Sequence, residues 1–363
     1  MIKIEQKSLI HFYNKIKKEY EKINITVDNI DYCKTDDMNI KENYGGDRFF
    51  PKPILEDVNR NLIHCFLLNY YNTHIHIYTK YNIKQINGNE NGILKIIKNI
   101  CKIIFITRRL FADENELTIH YFDCEIEKRF PEKKGIILSE ENCNSGSSYV
   151  GSYLMFVYRR EEYVRVLIHE LIHSFMGDYS LINDNFNLAL SKVFCLNNDD
   201  NININETYTE SLATIINLIF HYLELDGETK DKKKRDFRKL EKMLQIEFEH
   251  SVLACVTILD HYDYKSIKQL RRDDNNCKTL LQKTSVFNYY ILKPFMLYNL
   301  DGLYKLIKKC SKNLQFSKME ICLDEFFNLI VDNFDNKKVQ GVIDRMLKNK
   351  KYRTKSLAMV RFR

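Results

Sequence analysis

The pentapeptide His169-Glu-Leu-Ile-His173 contains the residues whose types and spacing are best suited to chemistry. If the segment is helical, the two histidines lie one turn apart on the same face, so one nitrogen of each ring can bind a single metal ion. Glu170 lies at the edge of that face, where its carboxylate can reach a water molecule next to the ion. The pattern indicates a zinc site with Glu170 as a general base.

The residues around the pentapeptide predict the helix that it requires. Glu161 and Glu162 would lie in its first turn, an apolar run from Val164 to Ile168 would bury it, and Gly177 would end it. Two histidines and a carboxylate on a buried face are costly unless they share a partner. This cost favours a metal site over a pair of hydrogen-bonded core histidines.

A catalytic zinc site normally has three protein ligands, so the chain must supply one more. The segment from Asn205 is the best source, because Glu206 and Glu210 lie one turn apart at the head of an apolar helix. Two such carboxylates repel each other unless a positive group lies beside them. Asp178, five residues after His173, is an alternative ligand, but its position is more typical of a helix cap or of an acid that orients a histidine.

The HELIH motif and the Glu-x-aromatic-small-Glu pattern of residues 206–210 resemble the gluzincin metallopeptidases over roughly residues 154–220. The resemblance implies that Glu206 is a zinc ligand and that Glu210 orients a ligating histidine. A second gluzincin pattern, Glu-x-apolar-Ala, matches residues 210–213 and would make Glu210 the ligand instead. We favour Glu206, and both alignments stay open at this point.

The resemblance also implies a donor for the negatively charged oxygen that forms during peptide hydrolysis. Gluzincins commonly use a tyrosine or histidine of the C-terminal lobe, and we select Tyr289 and Tyr290 as the candidates. The polar Asn144-Ser145-Gly146 segment is a candidate edge strand or loop that would bind an extended peptide substrate.

The order of predicted elements indicates an α+β protein. Strand-like stretches precede the HExxH helix, and the C-terminal third has helical periodicity. We expect a zincin-like catalytic domain, with a mixed sheet plus the active-site helix, and a mainly helical C-terminal lobe. The expected regions are residues 1–110 (N-terminal α/β), 111–226 (catalytic) and 227–363 (helical lobe).

Composition limits the remaining function classes. The chain has 363 residues and a formal net charge of +7. It has no long apolar segment and no signal-peptide pattern, and its ten cysteines contain no CxxC pair. We therefore expect an intracellular, cytoplasmic protein with reduced thiols and no membrane partner. The abundance of Asn, Ile, Lys and Tyr is typical of an AT-rich genome, and the composition is similar to that of proteases from large DNA viruses, for which the host cytoplasm or the virion would be the location.

The expected function is hydrolysis of peptide or protein substrates by a metallopeptidase that carries one Zn²⁺ per chain. Two alternatives belong to other classes. One is a catalytically inactive zincin-like scaffold, although that protein would have no use for Glu170. The other is a nucleic-acid-binding protein with an incidental HExxH motif, based on the basic runs at residues 230–239 and 348–363.

Overall fold

The computed structural model describes residues 2, 7–25, 31–34, 50–82, 92–178, 181–196, 203–227, 237–310, 322–349, 351–354 and 356–362. These residues form an α+β fold with a mixed β-sheet, which confirms the predicted class. The α-helices are α1 Leu9–Tyr20, α2 Lys52–Asn61, α3 Ile93–Phe111, α4 Glu140–Cys143, α5 Tyr163–Ser174, α6 Asp184–Val193, α7 Asn205–Gly227, α8 Phe237–His261, α9 Lys293–Tyr298, α10 Leu300–Cys310, α11 Leu323–Phe334 and α12 Lys337–Leu347. A π-helix, Phe287–Leu292, directly precedes α9.

The sheet has six strands in the order β1-β2-β3-β4-β6-β5. Strand β3 pairs in parallel with β4, and β4 with β6, while β1/β2, β2/β3 and β5/β6 are antiparallel. The strands are β1 Asp31–Lys34, β2 His64–Asn69, β3 Thr73–Thr79, β4 Leu117–Phe122, β5 Gly146–Ser148 and β6 Leu154–Val157. The short strand β5 thus lies at the edge of the sheet as the structure describes it.

Helices cover both faces of the sheet. Ile100 of α3 and Leu167 of α5 belong to the main core cluster together with Ile119 of β4. On the opposite face, Ile54 of α2 packs in a smaller cluster with Phe122. Burial of alternate residues along β3 follows from its THIHIYT sequence, because successive side chains of a strand point to opposite faces.

The C-terminal third is mainly helical, as predicted, and the main core cluster runs through all three expected regions. It contains Leu9 from the first, Leu171 from the second and Phe295 from the third. The boundaries near 110 and 226 remain predictions. Among the described residues, no helix is both long and apolar enough to cross a membrane.

The prediction that all cysteines are reduced is wrong for this structure. Cys195 is bonded to Cys277 and Cys310 to Cys322, with Cα–Cα distances of 6.3 and 6.0 Å. Cys195 and Cys277 are 82 residues apart in the sequence. Their two segments lie side by side because Leu196 and Leu280 form a β-bridge. Chain spacing alone cannot reveal such a pair. The free cysteines of the described side chains, all buried, are Cys65, Cys101, Cys124, Cys143 and Cys255.

Candidate metal centre and active site

Helix α5 carries the HExxH residues, and the side chains of His169, Glu170 and His173 are buried. The helix ends at Ser174, before the predicted end at Gly177. Met176 takes the left-handed conformation, with φ of 55°, and the N–H of Gly177 bonds to the carbonyl of Ile172 at 2.8 Å, a Schellman ending. Glycine is required at position 177 not for the turn but for space, because a Cβ at this position would overlap the ring of Phe111.

This sharp ending turns the chain back so that Asp178 faces α5. The Oδ2 atom of Asp178 lies 2.7 Å from Nδ1 of His173, and it also accepts hydrogen bonds from Asn205 and Thr209. Asp178 is fully buried. Because it contacts Nδ1, it leaves Nε2 of His173 available to a metal ion and fixes the orientation of the ring.

Helix α7 packs against α5 and brings both predicted glutamates to the histidines. Glu206 Oε2 lies 3.1 Å from Nε2 of His169 and 3.5 Å from Nε2 of His173. Glu210 Oε2 instead lies 3.3 Å from Nδ1 of His169, on the other side of that ring. The two acids therefore occupy the positions that the resemblance implies for a ligand and for an orienting acid.

The ligand atoms of His169, His173 and Glu206 all lie within 4.8 Å of one another. The two Nε2 atoms are 3.0 Å apart. With bonds of about 2.05 Å, the edges of a tetrahedral zinc site measure about 3.3 Å, close to the three separations here. Glu206 Oε2 is buried, and its contacts with the Nε2 atoms of His169 and His173 do not have hydrogen-bond geometry. Two imidazoles and this carboxylate thus converge on one point, and the donor set fits Zn²⁺.

The electrostatics of the cluster also favour a cation. Burial by itself lowers the pKa of a histidine, but the carboxylates of Glu206 and Glu210 raise the pKa of His169, and those of Asp178 and Glu206 raise the pKa of His173. Although burial opposes it, the two imidazoles hold the pKa of Glu206 well below its ordinary value. The carboxylates around the histidines therefore create a site that attracts positive charge.

Glu170 lies next to this cluster and faces strand β5. Its Oε2 accepts a hydrogen bond of 2.6 Å from the hydroxyl of Ser148. Burial raises the pKa of Glu170, although the imidazoles of His169 and His173 act in the opposite direction. A Cβ on Gly146 would lie 2.6 Å from Cγ1 of Val166 and 2.9 Å from the carbonyl oxygen of Phe156, so glycine is needed for β5 to pass this close to its neighbours beside Glu170.

A cleft of about 410 Å³ opens onto the cluster. Its described lining residues are Asn144, Gly146, Ser147, Ser148, Tyr149, Val150, His169, Glu170, His173, Ile182, Asn203, Asn205, Glu206, Lys283, Thr284, Ser285 and Tyr289. Two of the three predicted substrate-binding residues, Asn144 and Gly146, thus line the cleft. Ser145 is buried and is not among the lining residues.

The structure separates the two candidate tyrosines. Tyr289 lines the cleft, and its ring lies 6.0 Å from the ring of His169. Burial and the carboxylates of Glu206 and Glu170 raise the pKa of Tyr289, so its hydroxyl stays a proton donor at neutral pH. Tyr290 is buried elsewhere and donates a hydrogen bond of 2.7 Å to the carbonyl of Leu357. Its contacts are those of a structural residue.

Glu210 is held by two buried cations that the sequence did not single out. Arg165, four residues before His169, forms an ion pair with Glu210 Oε2, and Lys293 Nζ lies 3.0 Å from Glu210 Oε1. Despite burial, these cations and His169 hold the pKa of Glu210 well below its ordinary value. The spacing of Arg165 from His169 was the one available signal in the sequence, since it places both on one helical face.

The same network anchors the segment of residues 356–362. Glu162 accepts the N–H groups of Met359 and Val360, and Lys293 donates to the carbonyl of Met359. Residues 357–360 are buried. This part of the basic run at residues 348–363 therefore packs inside the protein, whereas residues 230–236 of the other run lie outside the described residues.

No protein-family model matches the sequence, and no solved structure matches the chain. The chain is 26% identical over 195 residues to an uncharacterised protein of Acanthamoeba polyphaga mimivirus. The match covers 53% of this chain and 47% of the viral protein, so the chain spans about half of that protein's length. This distant similarity supports a viral origin.

Proposed function

We propose that the chain is a zinc-dependent metallopeptidase of the gluzincin type, with one Zn²⁺ held by His169, His173 and Glu206. The observation that carries the proposal is the convergence of two Nε2 atoms and one carboxylate oxygen, 3.0 to 3.5 Å apart, beside Glu170 in an open cleft. Two imidazoles and one carboxylate are typical ligands of catalytic zinc.

Zinc bound at this site would polarise the scissile carbonyl and lower the pKa of a water molecule to about 7. Glu170 would take the proton of the attacking water and deliver it to the leaving amine, a role for which its raised pKa is suitable. Ser148 would hold the carboxylate in place through its hydrogen bond. Tyr289 would donate its hydroxyl hydrogen to the oxygen that becomes negative.

The substrate would be an extended peptide or protein segment. Strand β5 lies at the edge of the described sheet and lines the cleft, so an extended substrate would lie beside this strand. Asn144 and Gly146 would contribute at the start of this strand.

The viral similarity bears on where the chain would act. We propose the host cytoplasm or the virion. The two disulfide bonds favour the virion, because disulfides persist on virion surfaces and are rare in a reducing cytoplasm.

The two alternatives are weaker. An inactive scaffold would not need Glu170 beside the metal ligands, held by a hydroxyl and open to the cleft. Nucleic-acid binding would depend on basic runs, one of which is partly buried among the described residues. Salt-sensitive nucleic-acid binding by a zinc-free chain would favour that function.

The proposal is tested with purified wild-type chain and two variants. Wild type should contain about one zinc per chain by elemental analysis and should cleave peptides. His173→Ala should lose the zinc, whereas Glu170→Gln should keep it and lose about 10²- to 10⁴-fold in hydrolysis rate. Full zinc content in His173→Ala would contradict the metal site, and a rate of Glu170→Gln within tenfold of wild type would contradict the role of the base.

A further inference from the structure

The charges that line the cleft are unevenly distributed. Four charged or ionisable residues of the lining, His169, Glu170, His173 and Glu206, belong to the proposed metal centre and base. In the described part of the lining, the one further charged residue is Lys283. Its side chain is exposed and forms no ion pair or hydrogen bond with another described residue. The cleft therefore contains a cation that no described group neutralises.

The backbone around Lys283 is held in a defined position. The N–H of Lys283 donates to the carbonyl of Leu138 at 3.0 Å, and the hydroxyl of Thr284 donates to Oδ1 of Asn144 at 3.0 Å. The buried side chain of Gln282 accepts a hydrogen bond of 2.8 Å from the N–H of Phe287. These contacts fix the base of the lysine side chain at the wall of the cleft.

The contact of Thr284 with Asn144 also places Lys283 along the cleft. Asn144 lies two residues before β5, so Lys283 lies near the start of that strand, while Tyr149 and Val150 line the cleft beyond its end. A peptide that pairs with β5 in the more stable antiparallel direction has its C-terminal half beside the start of β5. Lys283 would thus face the substrate residues that follow the scissile bond.

We propose that Lys283 is a specificity residue that binds a carboxylate of the substrate on the C-terminal side of the scissile bond. The inference rests on the proposed peptidase function and adds the substrate class to it. The carboxylate has two sources: the side chain of an Asp or Glu residue, or the terminal carboxylate of a peptide that ends close to the cleavage point. An exposed ion pair of this kind contributes about a 2- to 5-fold preference at low salt.

The experiment uses a pooled decapeptide library made in two forms, with a free C-terminal carboxylate and with a C-terminal amide. Wild type is compared with Lys283→Glu and with Lys133→Glu, which makes the same charge change at an exposed lysine outside the cleft lining. Cleavage sites are identified by mass spectrometry. We expect about 2- to 5-fold enrichment of carboxylates after the cleavage point in wild type and Lys133→Glu, and its loss or reversal towards Lys and Arg in Lys283→Glu.

The two library forms identify the source of the carboxylate. Enrichment of Asp and Glu in both forms indicates a side chain, and preferential cleavage of the free-acid form near its end indicates the terminal carboxylate. The preference should shrink in 0.5 M NaCl, because exposed charges are screened. Cleavage by wild type without such a preference, or with a preference that persists in Lys283→Glu, would overturn the inference and leave the proposed function intact.

A binding measurement separates failure of the inference from failure of the proposed function. Fluorescein-labelled library fractions, one rich in Asp and Glu and one with Asn and Gln in their place, are titrated with the Glu170→Gln chain and with Glu170→Gln/Lys283→Glu. Fluorescence anisotropy should show about 2- to 5-fold tighter binding of the acidic fraction by the first chain, and not by the second. If both chains show the same ratio of affinities for the acidic and the amide fractions, the inference is overturned. Absence of cleavage by wild type, with this binding difference present, would count against the peptidase alone.

Discussion

The assignment of one glutamate as a ligand and the other as an orienting acid leads to a measurable ranking of zinc affinities. Glu206 Oε2 lies beside both Nε2 atoms, at 3.1 and 3.5 Å, whereas the imidazole nitrogen that Glu210 Oε2 contacts is Nδ1 of His169, at 3.3 Å. The substitution Glu206→Gln therefore removes one of the three proposed ligands. Glu210→Gln keeps all three proposed ligands and removes the acid that contacts one of them.

The magnitudes follow from this difference. Four-ligand structural zinc sites bind with about 10–16 kcal/mol, so one ligand contributes on the order of 3–4 kcal/mol, or about 10²- to 10³-fold in affinity. Loss of an acid that orients a ligating histidine costs about 10- to 100-fold. Glu206→Gln should therefore release zinc before Glu210→Gln does when both compete with the same chelator at fixed pH.

Glu210→Gln needs a matched control, because it leaves the buried cations Arg165 and Lys293 without their counterion. Removal of one partner of a buried ion pair can cost about 3–5 kcal/mol of folding stability. Asp178→Asn provides the control, since Asp178 orients His173 in the same way but forms no ion pair with a lysine or arginine among the described residues. Circular dichroism and urea titration establish that each variant is folded.

We expect Asp178→Asn and Glu210→Gln to retain zinc at chelator concentrations that strip Glu206→Gln. If Glu210→Gln loses zinc first while Glu206→Gln holds it, the Glu-x-apolar-Ala alignment is correct and our assignment is reversed. If both glutamate variants bind zinc like wild type, α7 is not part of the metal site.

Two further predictions concern residues around the site. Tyr289→Phe should reduce the rate of peptide hydrolysis by about 10²- to 10³-fold with zinc content unchanged. Tyr290→Phe should leave the rate per folded molecule unchanged and should lower the free energy of unfolding by about 1–2 kcal/mol, because the hydrogen bond to Leu357 is lost. Similar hydrolysis rates in the two variants would contradict the separation of roles. Burial raises the pKa of Glu247 from 4.5 to about 7 despite the nearby Lys293. Between these pH values the folded state therefore binds more protons than the unfolded state. The free energy of unfolding should increase by up to about 3 kcal/mol as pH falls from above 7 towards 4.5. Glu247→Gln should lack this gain in urea titrations at pH 5 and 8, and an unchanged difference between the two pH values would show that Glu247 is not its source.

The sequence by itself determined the features that depend on local geometry. The pitch of an α-helix places His169 and His173 on one face whatever surrounds them, and the same holds for the one-turn spacing of Glu206 and Glu210. The period-two pattern of residues 73–78 is likewise typical of a strand, and these residues form most of β3, while the periodicity of the C-terminal third predicted its helices. These signals repeat within a few residues, so they can be read without knowledge of the fold.

The tertiary structure decided which atoms meet. Glu206 and Glu210 are equally plausible ligands in the sequence, and only the packing of α7 on α5 places one at the two Nε2 atoms and the other at Nδ1. In the same way, neighbouring Tyr289 and Tyr290 point to the cleft and to the interior because the helix of residues 287–292 rotates them apart. The direction of a side chain relative to another element depends on crossing angles and rotamers, which no spacing along the chain records.

The same reason explains the contacts that sequence reasoning did not find. Lys293 lies 83 residues after Glu210, and Cys277 lies 82 residues after Cys195, so each pair forms only when distant segments fold together. Burial then makes the ionic contacts obligatory, because an unpaired charge in the interior costs several kcal/mol and must find its partner there. Local spacing defines the candidate ligands, and long-range packing determines how they are oriented and held.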